Sequence, residues 1–350
     1  MKTVLHISKF SVMVMAIAIG LGIPSKSHAG DYKDKDFSLR FPAGMTRFAT
    51  YGDVAGVGGA SAGSRWSSSI NPAATAWLDV EGKLQACAST QFSKVWFDAG
   101  LEIDVLAESI TVDADEAGTF MGAAGQIRSN HAKMRSGYDF YWAADLWQIQ
   151  WAKKLSDNFA MGFAFNHTKS IARNKLGSVP IAKSNSDSYV VRAGSLYKVT
   201  ENWLAGVVLD YGWSRDRTLW YAIPEWGISE SHTRDKTRQF LVRPGVSWEY
   251  MKDGTVYLDY QFGTFWNNTG TLNIHRIYAG IEQGFIEWIF PRVGVVFDPA
   301  VGSCSWTCGL GLYPAKWLSI DIAYQYDMFP ELSEDFGKSH TFNVSASLTF

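Results

Sequence analysis

The feature that most restricts what this chain can become is a strict two-residue alternation recurring down its length. Tyr189, Val191, Ala193, Ser195, Tyr197 and Val199 share one face, against Arg192, Gly194 and Lys198 on the other. Trp203, Ala205, Val207, Leu209, Tyr211 and Trp213 repeat the pattern against Gly206, Asp210 and Gly212. Phe240, Val242, Pro244, Val246, Trp248 and Tyr250 oppose Gln239, Arg243, Ser247 and Glu249. Val256, Leu258, Tyr260 and Phe262 oppose Asp259 and Gln261, and Leu318, Ile320, Ile322, Tyr324 and Tyr326 oppose Asp321, Gln325 and Asp327. Alternation of this kind puts apolar and polar side chains on opposite faces of a strand.

Each such segment runs roughly 10–13 residues, longer than the usual globular strand of about 5–6. That length suits a tilted strand crossing a bilayer. Aromatic residues gather near segment ends, as at Trp203 and Trp213, where the two membrane interfaces would fall. In lipid every backbone polar group must be paired within the protein, and a closed barrel achieves this without an edge. A soluble sandwich with one wet face also alternates. The confinement of charge to one face, opposite Trp, Phe and Leu, favours the barrel.

Short links at 155–158, 199–202, 251–254, 282–284 and 313–316 alternate with longer polar stretches near 170–186, 214–236, 266–271, 298–305 and 328–338. This predicts tight periplasmic turns and longer extracellular loops. Eleven strands follow residue 142, and one near 83–95 makes twelve. The stretch from Trp96 to Tyr141 is either one long loop or a further hairpin, so the fold class is an all-β, transmembrane antiparallel barrel of 12–14 strands.

The two ends carry addresses. Lys2 and Lys9 precede the apolar run Phe10–Ile23, and Ser27 and Ala29 form a small-x-small cleavage site. Residues 1–29 are therefore expected to be a signal peptide. At the other end Phe342, Val344, Ala346, Leu348 and Phe350 lie on one face. A strand ending on Phe resembles the C-terminal signature of bacterial outer-membrane barrels, which implies outer-membrane lipid and the barrel-assembly machinery as partners. A net charge of −2 gives no basic footprint for nucleic acid. Cys304 and Cys308 are candidates for a disulfide across a loop in an oxidising compartment. Two thiols without a nearby His make a poor zinc site. The 7 His are scattered, and neither metal nor cofactor is expected.

Between signal and barrel the alternation is missing. Tyr51–Ala76 is built from Gly, Ala and Ser, a composition suited to backbone packed closely in a confined lumen. It contains a G-x-S-x-G match at residues 59–63, but a nucleophile elbow needs a strand before it and a helix after it. No enzyme activity is expected. The segment ends in SSSINPAATAW, directly before the first strand. A small-residue segment ending in SSxxNPA resembles the FadL-type outer-membrane transporters of hydrophobic compounds. Ser68, Asn71, Pro72 and Ala73 match that pattern. The resemblance implies a plug, or hatch, over residues 30–80 inside a barrel spanning 81–350, and passive uptake of hydrophobic or amphipathic small molecules such as fatty acids or aromatic hydrocarbons.

Several residues bear on that expectation. Arg192, Asp210, Arg243, Glu249, Asp259 and Asp321 fall on the inward face. They either pair and brace the plug or select polar solutes, as in a porin-like diffusion channel. A secretion or surface-assembly accessory barrel is the third alternative. The stretch LWYAIPEWGI carries Leu219, Trp220, Tyr221 and Trp226, an apolar surface fit to capture ligand or to pack over the barrel mouth. Pro244 and Pro291 sit inside strands, where proline cannot donate to the ladder, so each predicts a bulge or break. Lateral release of ligand through such a break is what the resemblance implies for one of them.

Overall fold

The computed structural model describes Tyr32, residues 35–47, Val54, Ala55, Val57, Ala62, residues 68–77 and residues 86–350. The signal-peptide expectation and, apart from Ala62, the G-x-S-x-G match lie outside the described residues.

The strands form one antiparallel sheet closed on itself. In chain order they are β1 (Ala86–Phe97), β2 (Glu102–Asp113), β3 (Thr119–Ser129), β4 (Ala132–Lys133), β5 (Asp139–Ser156), β6 (Phe159–Leu176), β7 (Val179–Thr200) and β8 (Trp203–Trp220). They continue with β9 (Ser231–Asp235), β10 (Arg238–Met251), β11 (Gly254–Asn267), β12 (Gly270–Gln283), β13 (Ile289–Asp298), β14 (Ser303–Ala315), β15 (Leu318–Tyr326) and β16 (Ser339–Thr349). β4 and β9 are short additions to β5 and β8. The remaining strands make a fourteen-stranded transmembrane barrel, closed by β1 on β16 and β8 on β10. The open count between Trp96 and Tyr141 resolves to the larger number, because β2 and β3 occupy that stretch.

Side-chain exposure follows the alternation. Leu106, Ile110, Phe120, Ile149, Leu209 and Leu258 point outward and are exposed, whereas Ser93, Gln150, Asp259, Arg276 and Asn343 point inward and are buried. Inverted polarity of this kind is stable only with lipid outside. Trp203 stacks on Trp248 at 5.5 Å, and Trp213 on Tyr189 at 5.5 Å. The ten-residue step from Trp203 to Trp213 covers about 33 Å of strand, which tilts down to roughly 25 Å of height, the thickness of an apolar band.

Three expectations need correction. Residues 170–186 are not a loop: β6 and β7 run through them and meet at Gly177-Ser178, where Gly177 has φ +60°. Likewise 266–271 contains only the turn between Asn267 and Gly270. Above the bilayer both strand faces meet polar surroundings, so alternation fades while pairing continues. The Cys304–Cys308 disulfide does not form. Both lie on β14, exposed on its outer face, and both are free thiols. Four residues of strand separate their Cα atoms by about 13 Å, against the roughly 4.4–6.8 Å a disulfide spans.

Candidate functional site: the barrel lumen

The N-terminal residues contribute an element with no alternation to announce it, helix α1 (Phe37–Met45). Asp36 caps it, its Oδ1 accepting from the Ser38 N–H at 2.8 Å. Phe37, Phe41 and Met45 recur at a spacing of four and share one side. Leu39 and Ala43, on the opposite side, pack with Leu241, Phe265, Leu272 and Ile274 of the wall. On the first side Phe41 meets Trp142 edge-on at 4.8 Å, and Phe37 meets Phe140 at 5.6 Å and Phe336 at 6.3 Å.

Phe336 belongs to the connection between β15 and β16, which turns through Pro330–Leu332 and helix α2 (Ser333–Phe336). That connection is tied to α1 by charge. Arg47 donates to Glu331 at 3.0 Å and to Asp298 at 2.5 Å, and Arg276 of β12 donates to Glu331 at 2.5 Å. All four side chains have no solvent exposure. Burial pushes the Glu331 carboxyl up, but Arg276 and Arg47 outweigh it and hold the group below the ordinary carboxylate range. Arg40 adds a bond to Asp335 at 2.7 Å, and Tyr32 one to Asp298 at 2.9 Å.

The SSSINPAATAW segment lies against the opposite wall. Asn71 is fully buried. Its Nδ2 donates to the carbonyls of Ala62 at 2.7 Å and Ser195 at 2.9 Å, and its Oδ1 accepts from the Ala73 N–H at 3.0 Å. Pro72 opens the 3-10 helix Pro72–Trp77, where a missing N–H costs nothing. The wall makes room by omitting side chains. A Cβ at Gly194 would lie 2.1 Å from Asn71 Oδ1, and one at Gly162 would lie 2.6 Å from the Pro72 carbonyl carbon. Gln150 donates to Thr75 and to the Pro72 carbonyl. Ser68 is half-buried beside this contact, and the Ser69 carbonyl accepts from Arg192 at 2.8 Å. Farther along the segment, Ala62 N–H donates to Asp259, and Ala55 accepts from Gln325 of β15. The described N-terminal residues thus touch inward-facing groups on both sides of the barrel.

The inward charges are paired. Arg192 grips Asp210 with two bonds of 2.7 and 2.8 Å, Arg243 bonds Asp259 at 2.9 Å, and Arg292 bridges Asp321 and Glu282. Glu249 is half-buried near the periplasmic end of β10. Beside Arg192, Asp210 and Arg243 opens a cavity of about 750 Å³, reaching Phe37, Phe41, Trp142 and Ile70 on one side and Trp220 on the other. This volume falls within the roughly 300–1,000 Å³ of small-molecule sites.

The remaining candidates are dispersed. Leu219 and Trp220 extend β8, Tyr221 donates its N–H to the Ile181 carbonyl, and Trp226 stands exposed on the turn Pro224–Trp226. Pro244 interrupts the β10–β11 ladder without shifting its register: pairing stops at Val242↔Phe262 and resumes at Gly245↔Asp259. Pro291 pairs with Leu310 of β14, while on the other side β12–β13 pairing begins only at Arg292. That ladder has six residue pairs, and Gly270–Arg276 of β12 have no partner in β13. The inward charges were legible from alternation. Phe37, Phe41, Arg47, Trp142 and Glu331 were not singled out, although the Asp36 cap with aromatics four apart was a readable helix signal.

The closed fourteen-stranded barrel with an N-terminal segment reaching across its lumen defines a class of membrane barrel fold. Solved structures of the FadL-type transporter fold superpose on it. The toluene transporter TbuX of Ralstonia pickettii matches with a TM-score of 0.57 at 10% identity, over 90% of this chain and 99% of its own. A Pseudomonas aeruginosa FadL homologue matches with 0.57 at 13% identity, over 85% and 98%. The P. putida toluene transporter TodX gives 0.52 at 12% identity, over 85% and 97%. No family model and no curated protein sequence matches the chain. The shared property is the fold, kept at very low identity.

Proposed function

We propose that this protein is a channel of the bacterial outer membrane for passive uptake of hydrophobic or amphipathic small molecules. The observation that carries the reading is the aromatic-walled cavity set beside a lumen crossed by the N-terminal segment. The neighbours named as toluene transporters share that arrangement of strands, which supports the substrate class. Residues 30–80 act as the plug, with Ser68, Asn71, Pro72 and Ala73 as its junction with the wall, and residues 1–29 serve export. Ligand is gathered at the rim by Leu219, Trp220, Tyr221 and Trp226, enters the cavity, and passes when the plug shifts at Asn71. Lateral release is assigned to the β12–β13 ladder, whose six residue pairs are the fewest between neighbouring barrel strands, with the gap at Pro244 as the second candidate.

The paired state of Arg192, Arg243 and Arg292 argues against a polar-solute pore, because each cation already holds a carboxylate. Uptake of radiolabelled toluene and of a fatty acid by a deletion strain, with and without the complementing gene, tests the proposal. Gene-dependent uptake of at least one is expected. Equal uptake in both strains across hydrophobic classes would overturn it.

A further inference from the structure

The cavity has two unlike flanks, and strand register explains the second. On β6, β7 and β8 the inward positions fall in cross-strand rows: Thr168 opposite Ser188 opposite Ser214, then Ser170 opposite Ser186 opposite Asp216. A third row sets Ala172 beside Ser184 and Thr218. Every one of these residues lines the cavity. Only two bonds are made within the patch, Thr218 to Ser184 at 3.1 Å and Ser214 to Asp216 at 2.9 Å. Thr168, Ser170, Ser186 and Ser188 have no side-chain hydrogen-bond partner among the described residues. Facing them are Phe37, Phe41, Phe140 and Trp142.

Charge narrows the ligand further. At the cavity floor Arg192 is fully engaged by Asp210, and Arg243 by Asp259. The other charged lining residues are Asp36, Asp216 and Asp235 against Arg238. A carboxylate could accept from the hydroxyls, but Asp36, Asp216 and Asp235 outnumber Arg238 around it, and this like charge repels an anion that must also give up its water. A plain hydrocarbon would cover the aromatic flank but strip water from hydroxyls it cannot bond.

We infer that this cavity selects uncharged amphiphiles that carry hydroxyl groups on an apolar body, of the monoacylglycerol type, over fatty carboxylates and over bare hydrocarbons. The inference rests on the uptake reading above and names the substrate class of the same cavity. The hydroxyl rows bond the polar edge of such a molecule while its chain lies against Phe41 and Trp142.

The test is displacement of the neutral fluorophore 1-N-phenylnaphthylamine from the full-length protein in nanodiscs, at pH 8. Monolaurin, laurate and toluene are the competitors. Monolaurin is expected to displace the probe at a concentration about tenfold below laurate, the yield of one or two hydrogen bonds. The double variant S186V/S188V should erase that advantage and leave displacement by toluene unchanged. S186T/S188T, which keeps both hydroxyls, should retain it, and an unaltered heat-modifiable band on gels shows that each variant is folded. Laurate competing as well as monolaurin, or an advantage that survives S186V/S188V, overturns the inference while leaving hydrophobic uptake intact. A probe that does not bind at all overturns the uptake reading, and the selectivity falls with it.

Discussion

The walls at β5–β8 and at β13–β15 belong to one sheet and solve different problems. The first uses strands of 18, 18, 22 and 18 residues, the second strands of 10, 13 and 9. Crossing a bilayer takes about 9–11 residues, so the low wall ends near the membrane surface while the high wall continues well beyond it. The high wall lines its inner side with hydroxyls and leaves the space open. On the side of the low wall the β15–β16 connection fills the space and meets α1, which spans from β10–β12 to β5, and the two are locked by Arg47, Arg276, Asp298 and Glu331. A tall open side and a short sealed side are why the proposed uptake route runs along β6–β8.

The comparison can be broken hardest at the sealed side. Arg276→Met removes one partner of a fully buried ion network and should cost about 3–5 kcal/mol, because Glu331 is left under-compensated. The temperature at which the folded band disappears on a heat-modifiability gel reads this loss. The matched change on the open side, Ser214→Ala, should stay within about 0.5 kcal/mol. Equal losses on both sides would erase the distinction.

Asn71→Ala comes next. It removes two bonds donated to backbone carbonyls and one accepted from Ala73, at a cost of about 1–3 kcal/mol. Because Asn71 ties the N-terminal segment to β7 and not strand to strand, the variant should keep its folded band yet release the segment, seen as faster protease cleavage on the N-terminal side of β1.

Acid sharpens the same contrast. The Glu331 carboxyl is held below its ordinary pKa of about 4.3. A depressed carboxylate contributes stability that is present above its unfolded pKa and lost as pH falls through the folded value. The sealed side should therefore hold from neutrality down to about pH 4 and loosen below it. Glu331→Gln should flatten that acid limb of the stability profile. The smallest effect is expected at the rim, where Trp226 is 55% exposed. Trp226→Ala should leave stability within about 0.5 kcal/mol and slow uptake only at low ligand concentration.

The two walls also show what was readable beforehand. Alternation through Trp203–Trp213 and Leu318–Tyr326 announced strands because lipid on one face and lumen on the other force two chemistries. At 170–186 neither face meets lipid, so the signal faded although pairing continued to Gly177. β2 and β3 stayed ambiguous because outward Asp104, Glu108 and Gln126 share a face with Leu106 and Phe120, while inward Ile103, Val105 and Ile127 are apolar. Asn71 stood out because Asn-Pro is rare chemistry in a small-residue run. Glu331 did not, because its partners Arg47 and Arg276 are brought to it only by barrel closure, across 284 and 55 residues of chain.

The most direct test of a lumen blocked by its own N-terminal segment is planar-bilayer conductance of the full-length protein. The structure predicts no large steady ion current from the wild type, and openings of appreciable size from Gly194→Val, whose side chain would strike Asn71 and Pro72. A wide, steady, porin-like current from the wild-type protein would contradict the account.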